Sequence, residues 1–379
     1  MRLIVTSVIR RSLAGEPTGL LFAIDRSVPR VVRTYAVPPP LYLEHNLNPR
    51  GGLRGGRGVS VCGDRIYVAN ASHVWAYDAH WRLTQCITHP SCANIHGILA
   101  KEDRLWVTST RNGLCCEFSQ TGEMRDYFDY RQYEDICRRI GVESDTAKGL
   151  GRKSVLSGDV DFRDPRTHRL EVSDAVHLNG LCFLPNGDML LSFGQCNAWQ
   201  RTPLLGSTKK VFAELHGHPL ISRTRQVMAT MCNNYEDPRT GYVADLFKAR
   251  SAVVRVRGGV AHSVPLLHDG AIMPNHDLVP KSDGTVLRSD TNAKCVICFD
   301  PCTGVVLKRI EIGGKFVRGM ALLSEDTVVV GAQNEIAVVD IVKREVRGRL
   351  RLTQDQRVAV FDIGIVPEEF EPFPDSLQS

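Results

Sequence analysis

Residues 179–194, NGLCFLPNGDMLLSFG, read as a polar residue and a glycine, a short apolar strand, a Pro-Asn-Gly-Asp turn and a second strand. The phrase returns at Arg57 (RGVSVCGDRIYVAN), His96 (HGILAKEDRLWVTS), His276 (HDLVPKSDGTVLRSD) and Arg318 (RGMALLSEDTVVVGA). The steps from Arg57 to His96, from His276 to Arg318 and from Arg318 to Ile363 lie near the ~40–45 residues of a four-stranded propeller blade, and the two steps flanking Asn179 are about twice that. Repetition at this period predicts an all-β, six-bladed β-propeller, because one four-stranded sheet cannot bury both of its faces alone.

Working outward, each phrase continues into a third and fourth strand, as in HVWAYDAHWRLTQCI (73–87) and KCVICFDPCTGVVLKRIEI (294–312), with turn residues at Asp78, Asp300–Gly304 and Asp340. The two ends of the chain complement one another. Residues 1–40 offer three strands, and FDIGIVP (361–367) is a leftover inner strand that would close the first blade and remove a free sheet edge. The expectation is one propeller domain over residues 1–379, since a propeller distributes its core among blades.

The long steps are insertions, about 129–176 and 195–249. Both fall where a propeller places its top face, the face on which inner strands begin. Segments of that length in a compact domain carry function or their own helices. YRQYEDICRRIGVE (130–143), STKKVFAELHGH (207–218) and ISRTRQVMATMC (221–232) show helical spacing or capping, which predicts a partly helical lid over the top face.

Beneath that lid the opening residues of the repeat converge. Arg57, His96, Asn179, His276, Arg318 and Ile363 are expected at equivalent axial positions, with His177 on the same side of the chain as Asn179 and with Asp277 and Asp362 adjacent. A divalent metal held by His96, His177 and His276 suits neutral imidazole nitrogens. Arg57 and Arg318 would clamp a carboxylate or phosphate, and Asp277 and Asp362 would move protons. Asn179, His45 on the rim and His218 in the second insertion are further candidates for contact with a substrate. A His at an inner-strand start can equally serve only to hydrogen-bond a neighbouring blade.

The motif NGLCFLPNGD (179–188) resembles inner strands of the gluconolactonase, regucalcin and strictosidine-synthase group. In layout the chain also resembles uncharacterised bacterial six-bladed propellers. The first resemblance implies a divalent ion at the axis held by Glu, Asn and Asp, with Asn179 matching one such Asn. This chain departs by placing His96, His276, Arg57 and Arg318 where further oxygen ligands would stand, which favours zinc or iron over calcium.

Composition is that of an ordinary globular protein, and a net charge of +5 over 379 residues is too even for a typical nucleic-acid binder. The run NPRGGLRGGRG (48–58) is one short RGG-like copy and is expected to be a rim segment. No segment is long enough to span a bilayer. Twelve cysteines without an export signal point to a reducing, cytoplasmic setting, with Cys62, Cys86, Cys182 and Cys298 expected in the core. Cys295-x-x-Cys298 and Cys115-Cys116 are spaced to face opposite sides of their strands.

The expectation is therefore a metal-dependent lyase, hydrolase or isomerase acting on a small anionic molecule at the top axial mouth. The alternatives are a metal-free lactonase-like or cyclase-like enzyme in the same pocket, or a non-catalytic propeller that binds a protein through residues such as Trp199, Phe212 and Tyr235.

Overall fold

The computed structural model describes residues 2–13, 15–25, 29–46, 53–134, 136–137, 152–167, 176–196, 250–257, 260–263, 275–291 and 293–378. Among them run four antiparallel strands in each of six sheets. The first blade joins β1 (Arg2–Ile9), β2 (Leu20–Asp25) and β3 (Arg30–Ala36) to the C-terminal strand. The second holds β4 (Val59–Cys62), β5 (Arg65–Ala69), β6 (Val74–Tyr77) and β7 (Leu83–Ile87), and the third β8 (Ile95–Lys101), β9 (Arg104–Ser109), β10 (Leu114–Ser119) and β11 (Met124–Asp129). The fourth holds β12 (Leu178–Phe183), β13 (Met189–Cys196), β14 (Arg250–Arg257) and β15 (Val260–Ser263), and the fifth β16 (Asn275–Pro280), β17 (Val286–Asp290), β18 (Cys295–Phe299) and β19 (Val306–Glu311). The sixth holds β20 (Val317–Ser324), β21 (Thr327–Ala332), β22 (Glu335–Asp340) and β23 (Glu345–Arg351), and β24 (Val358–Val366) returns to pair with β1. The six-bladed propeller and its C-terminal closure are as the repeat predicts.

An apolar cluster fills each seam between neighbouring blades. Ile4, Leu21, Ile66 and Trp75 bridge the first and second blades, and Leu3, Phe22, Ala321 and Val329 bridge the sixth and first. The pattern in β21 shows why its sequence is a continuous apolar run: Val328 and Val330 face the fifth blade while Val329 faces the first, so alternation is between two buried sides. Outer strands are buried on one side only, and in β23 only Val346 and Leu350 are half-buried while the other residues are exposed. Cys295 and Cys298 lie in different seams, as do Cys115 and Cys116. Cys182 and Cys298 are buried, but Cys62 is only half-buried and Cys86 is exposed, because β4 ends and β7 runs at the solvent-facing edge of the second blade.

The first insertion is partly helical where described. Glu134, Ile136 and Cys137 begin a helical turn whose Ile136 and Cys137 are buried, and α1 (Arg152–Ser157) follows. This segment packs on the top-face connection between β7 and β8: Ser91 Oγ donates to Val155 O at 2.7 Å, and Phe162 N donates to Pro90 O at 2.9 Å. The helices expected at 207–218 and 221–232, together with His218, Trp199, Phe212 and Tyr235, lie outside the described residues. Among the described residues no helix is long and apolar enough to cross a membrane.

Candidate functional site

Every inner strand is irregular where it begins, and that irregularity builds the site. In β12, Leu178 pairs with Phe193 and Gly180 with Ser192, leaving Asn179 as an extra residue. Register breaks in the same way around His96-Gly97, His276-Asp277, Arg318-Gly319 and Phe361, and Ala69 bonds both Arg57 N and Gly58 O in the second blade. A bulge of this kind re-aims a side chain out of the alternating pattern. Six bulges therefore deliver six side chains to the axis: Arg57, His96, Asn179, His276, Arg318 and Phe361, all buried.

Phe361, not Ile363, is the sixth member. The extra residue opposite the Thr6–Ser7 step is Phe361, and Ile363 packs in the seam with Leu3 and Val329. The parallel of Phe361-Asp362 with His276-Asp277 is the sequence signal that would have placed it. Phe361 also accounts for the two arginines. Arg318 Cζ lies 3.2 Å and Arg57 Cζ 4.5 Å from the centroid of its ring, and each comes from a blade flanking the first.

Glycine follows the axial residue where neighbouring inner strands nearly touch. A Cβ on Gly58 would lie 2.7 Å from Ile98 N. At the two repeats where aspartate replaces that glycine, the carboxylate crosses to the next blade. Asp277 Oδ2 accepts from Gly319 N at 2.8 Å and from Ser289 Oγ at 2.6 Å, and Asp362 Oδ2 accepts from Val59 N at 2.8 Å. Burial raises both carboxyl groups, and the proximity of Asp277 helps push Asp362 up to about 8. Both aspartates are thus brought to the hub, where their hydrogen bonds tie one blade to the next.

The imidazoles adjoin this group, the His96 ring meeting Phe361 edge-on with centroids 5.3 Å apart. His177, with φ +49°, is partly exposed, and its ring centroid lies 4.8 Å from that of His96 and 6.4 Å from that of His276. The hydrogen-bond network assigns tautomers. His96 Nδ1 is 2.9 Å from Asn94 O, an acceptor, so Nδ1 carries the proton. Thr291 Oγ1 donates to Val317 O at 2.7 Å, so at 2.8 Å it must accept from His276 Nδ1. Both rings therefore keep a lone pair on Nε2. Burial first, and then the neighbouring arginines, hold His96 and His276 well below the ordinary imidazole range, so both are neutral.

Those nitrogens have the right chemistry for zinc or iron. Among the described residues, however, no three His, Cys, Asp or Glu side chains are gathered to hold one ion, and two guanidinium groups stand at the same level. An oxygen-ligated calcium site fits less well, because Asp277 and Asp362 bond backbone N–H groups. The residues as placed do not fit a resident metal, and no step below passes through one.

His45 does not join the hub. It ends a 3-10 turn (Leu43–His45) on the rim, with Nε2 3.6 Å from Glu44 Oε1, while Tyr42 bonds Asp161 of the first insertion at 3.0 Å. The described end of the Gly/Arg run is a packing device: Gly56 N donates to Ser7 O at 2.9 Å and Arg54 Nε to Ser12 Oγ at 3.1 Å.

No protein-family model matches this chain, and no curated protein matches its sequence. Solved structures similar to it include that of a nidogen/laminin complex, with a TM-score of 0.53 and 10% identity over 96% of this chain and 97% of that one. Another is a protein of unknown function from Bacteroides caccae, with a TM-score of 0.50 and 9% identity over 96% and 97% of the two chains. That likeness shows the fold. A virginiamycin B lyase from Staphylococcus aureus aligns at a TM-score of 0.43 and 10% identity, over 79% of this chain and 71% of that one.

Proposed function

We propose that this propeller is an enzyme that binds a small anionic molecule at its top axial mouth and acts on it as a lyase, hydrolase or isomerase. The observation that carries the proposal is the meeting of guanidinium and imidazole groups at the hub. Arg57 and Arg318 meet around Phe361, His96 packs edge-on against the same ring with centroids 5.3 Å apart, and His96 and His276 offer unprotonated Nε2 atoms. The guanidinium groups hold the anionic group by charge-assisted hydrogen bonds. A neutral imidazole then takes a proton from the bound molecule and returns it elsewhere, a role that contributes roughly 10²–10⁴-fold in rate. The first insertion, packed on the same face, shelters the reaction.

This proposal gives the Nε2 lone pairs to a proton in place of the expected zinc or iron, and a stoichiometric divalent ion in purified protein would restore the metal-dependent alternative.

The test is a thermal-shift screen of small carboxylates and phosphates, with each binder followed for turnover by NMR. Binding should be lost in Arg57→Gln and Arg318→Gln. Turnover should be lost in His96→Gln and His276→Gln while binding survives. Ligands that bind equally well to the arginine variants would overturn the proposal.

A further inference from the structure

Each of the two buried imidazoles is held at Nδ1 by a residue that also reaches toward the arginine of a neighbouring blade. Asn94, in the connection between β7 and β8, accepts from His96 Nδ1 at its main-chain oxygen, 2.9 Å away, while its side-chain Oδ1 accepts from Arg57 Nη2 at 3.4 Å. The φ of Asn94 is +54°, a left-handed conformation that asparagine adopts more readily than most residues. In the fifth blade Thr291 directly follows β17. Its Oγ1 accepts from His276 Nδ1 at 2.8 Å and donates at 2.7 Å to the oxygen of Val317, the residue before Arg318. Asn94, Thr291, Val317, both imidazoles and both arginines are all buried.

A neutral imidazole carries one proton on either ring nitrogen, and only the form protonated at Nδ1 leaves Nε2 basic. A buried acceptor beside Nδ1 selects that form, because the other tautomer would set two lone pairs against each other and leave the acceptor unmet. The carbonyl of Asn94 can do nothing but accept. The hydroxyl of Thr291 has a single hydrogen, and Val317 O takes it, so toward His276 it too is an acceptor. The same two residues set base against arginine. Asn94 ties His96 of the third blade to Arg57 of the second, and Thr291 ties His276 of the fifth blade to the start of β20 in the sixth. Gly319 N, on the far side of Arg318, donates to Asp277 Oδ2 at 2.8 Å, so the main chain at Arg318 is gripped on both sides by the blade that carries His276.

We propose that Asn94 and Thr291 are the positioning residues of this site: each locks its imidazole in the tautomer that is basic at Nε2 and registers that imidazole against the arginine of the adjoining blade. Both act through the histidine and the arginine-bearing segment, not on the bound molecule. The inference rests on the acid–base reading above and deepens it by naming what prepares the bases.

Two-bond proton–nitrogen correlation spectra of the full chain, labelled at histidine and recorded without ligand at about pH 8, where ordinary imidazoles are neutral, read the tautomer of each ring. Spectra of His96→Gln and His276→Gln assign the two signals. In the wild-type protein both rings should carry the proton on Nδ1. Thr291→Val has a similar shape without the acceptor, and should move the His276 tautomer ratio toward the Nε2-protonated form by roughly fivefold, the worth of one hydrogen bond. Thr291→Ser should restore the wild-type ratio. Asn94→Gly keeps the left-handed backbone and the main-chain oxygen, so His96 should hold its tautomer. The Arg57 Nε–H signal of that variant, assigned by its loss in Arg57→Gln, should exchange with water about two- to threefold faster, as suits loss of one long hydrogen bond. If Thr291→Val no longer melts cooperatively, Thr291→Cys replaces it, with a weaker acceptor and a smaller shift in the same direction. Either ring protonated at Nε2 in the wild-type protein, or a His276 tautomer unmoved by these variants, would overturn the proposal, since a purely structural Thr291 would change stability alone. No ligand is present in these spectra, so anions that bind equally well to Arg57→Gln and Arg318→Gln would overturn the anion-binding reading with the tautomers as stated.

Discussion

Asp362 offers the sharpest test of how the hub is built. Its Oδ2 accepts from Val59 N at 2.8 Å, joining the first blade to the second, and its Oδ1 accepts from Ile363 N at 2.9 Å. Asp362→Ala orphans both N–H groups in a buried seam, at about 1–3 kcal/mol each, so the expected loss near pH 5 is roughly 2–6 kcal/mol. Asp362→Asn keeps one acceptor oxygen and is expected to lose about 1 kcal/mol. The two variants part company with wild type as pH changes. Burial, aided by Asp277 and opposed by Arg318, raises the Asp362 carboxyl to about 8. An ordinary carboxyl in the unfolded chain titrates near ~4. Between those values the folded protein keeps a proton that the unfolded chain has released, so this group's contribution is fully present below the lower value and is lost as pH rises through the upper one. Urea unfolding followed by the fluorescence of Trp75 and Trp81, both buried, reads this directly. From pH 5 to pH 9, wild type should lose stability relative to Asp362→Asn by on the order of a few kcal/mol, and above pH 8 the asparagine variant should be the more stable. Parallel curves for the two proteins across that range would refute the raised carboxyl, and an Asp362→Ala loss under about 1 kcal/mol would refute the interblade bond.

The C-terminal tail provides a second test: Phe370 and Phe373 bury against Trp81, and Tyr77 Oη donates to Gln378 O at 2.7 Å, so ending the chain at Val366 should cost about 3–6 kcal/mol in urea unfolding. Gly58→Ala places a methyl 2.7 Å from Ile98 N and should lower stability by about 1–3 kcal/mol while displacing Arg57, so anion affinity should fall with it. Elemental analysis of protein purified without added metal should find less than one equivalent of zinc or iron, and chelator dialysis should leave anion affinity unchanged; one tightly held equivalent lost in His96→Ala would instead make the imidazoles ligands.

Much of this was legible because the propeller repeats its punctuation. Alternating apolar strands, turn aspartates and the complementary termini sufficed for blade number and closure, and Asp78, Asp300 and Asp340 do accept turn N–H groups. Five of the six axial residues followed from repeat position alone. Phe361 was missed because it becomes the axial residue through a bulge opposite the Thr6–Ser7 step, and strand spacing in the sequence does not reveal where a bulge falls. The buried interblade bonds of Asp277 and Asp362 were equally hidden, since an aspartate in a strand start looks the same whether its carboxylate faces a pocket or a neighbouring N–H. Threonine gave another unread signal: Thr110 and Thr291, at the ends of second strands, each donate to the start of the next blade, at 2.5 and 2.7 Å.

The closing strand also ties function to completion of the ring. Phe361 and Asp362 belong to β24, the last strand in the chain, while Arg57 and Thr6, which bond or pack against them, belong to its first third. Until β24 pairs with β1, Arg57 and Arg318 have no ring between them and the first seam lacks its carboxylate. Contacts this distant in sequence form late, because their loop-closure entropy must be met before they stabilise anything. A chain with five blades formed and the sixth seam open would carry the imidazoles but not the oriented arginines. Anion affinity and the final cooperative step of folding should therefore appear together in refolding experiments, and with them the burial of Trp81, which packs against Phe370 and Phe373 beyond β24.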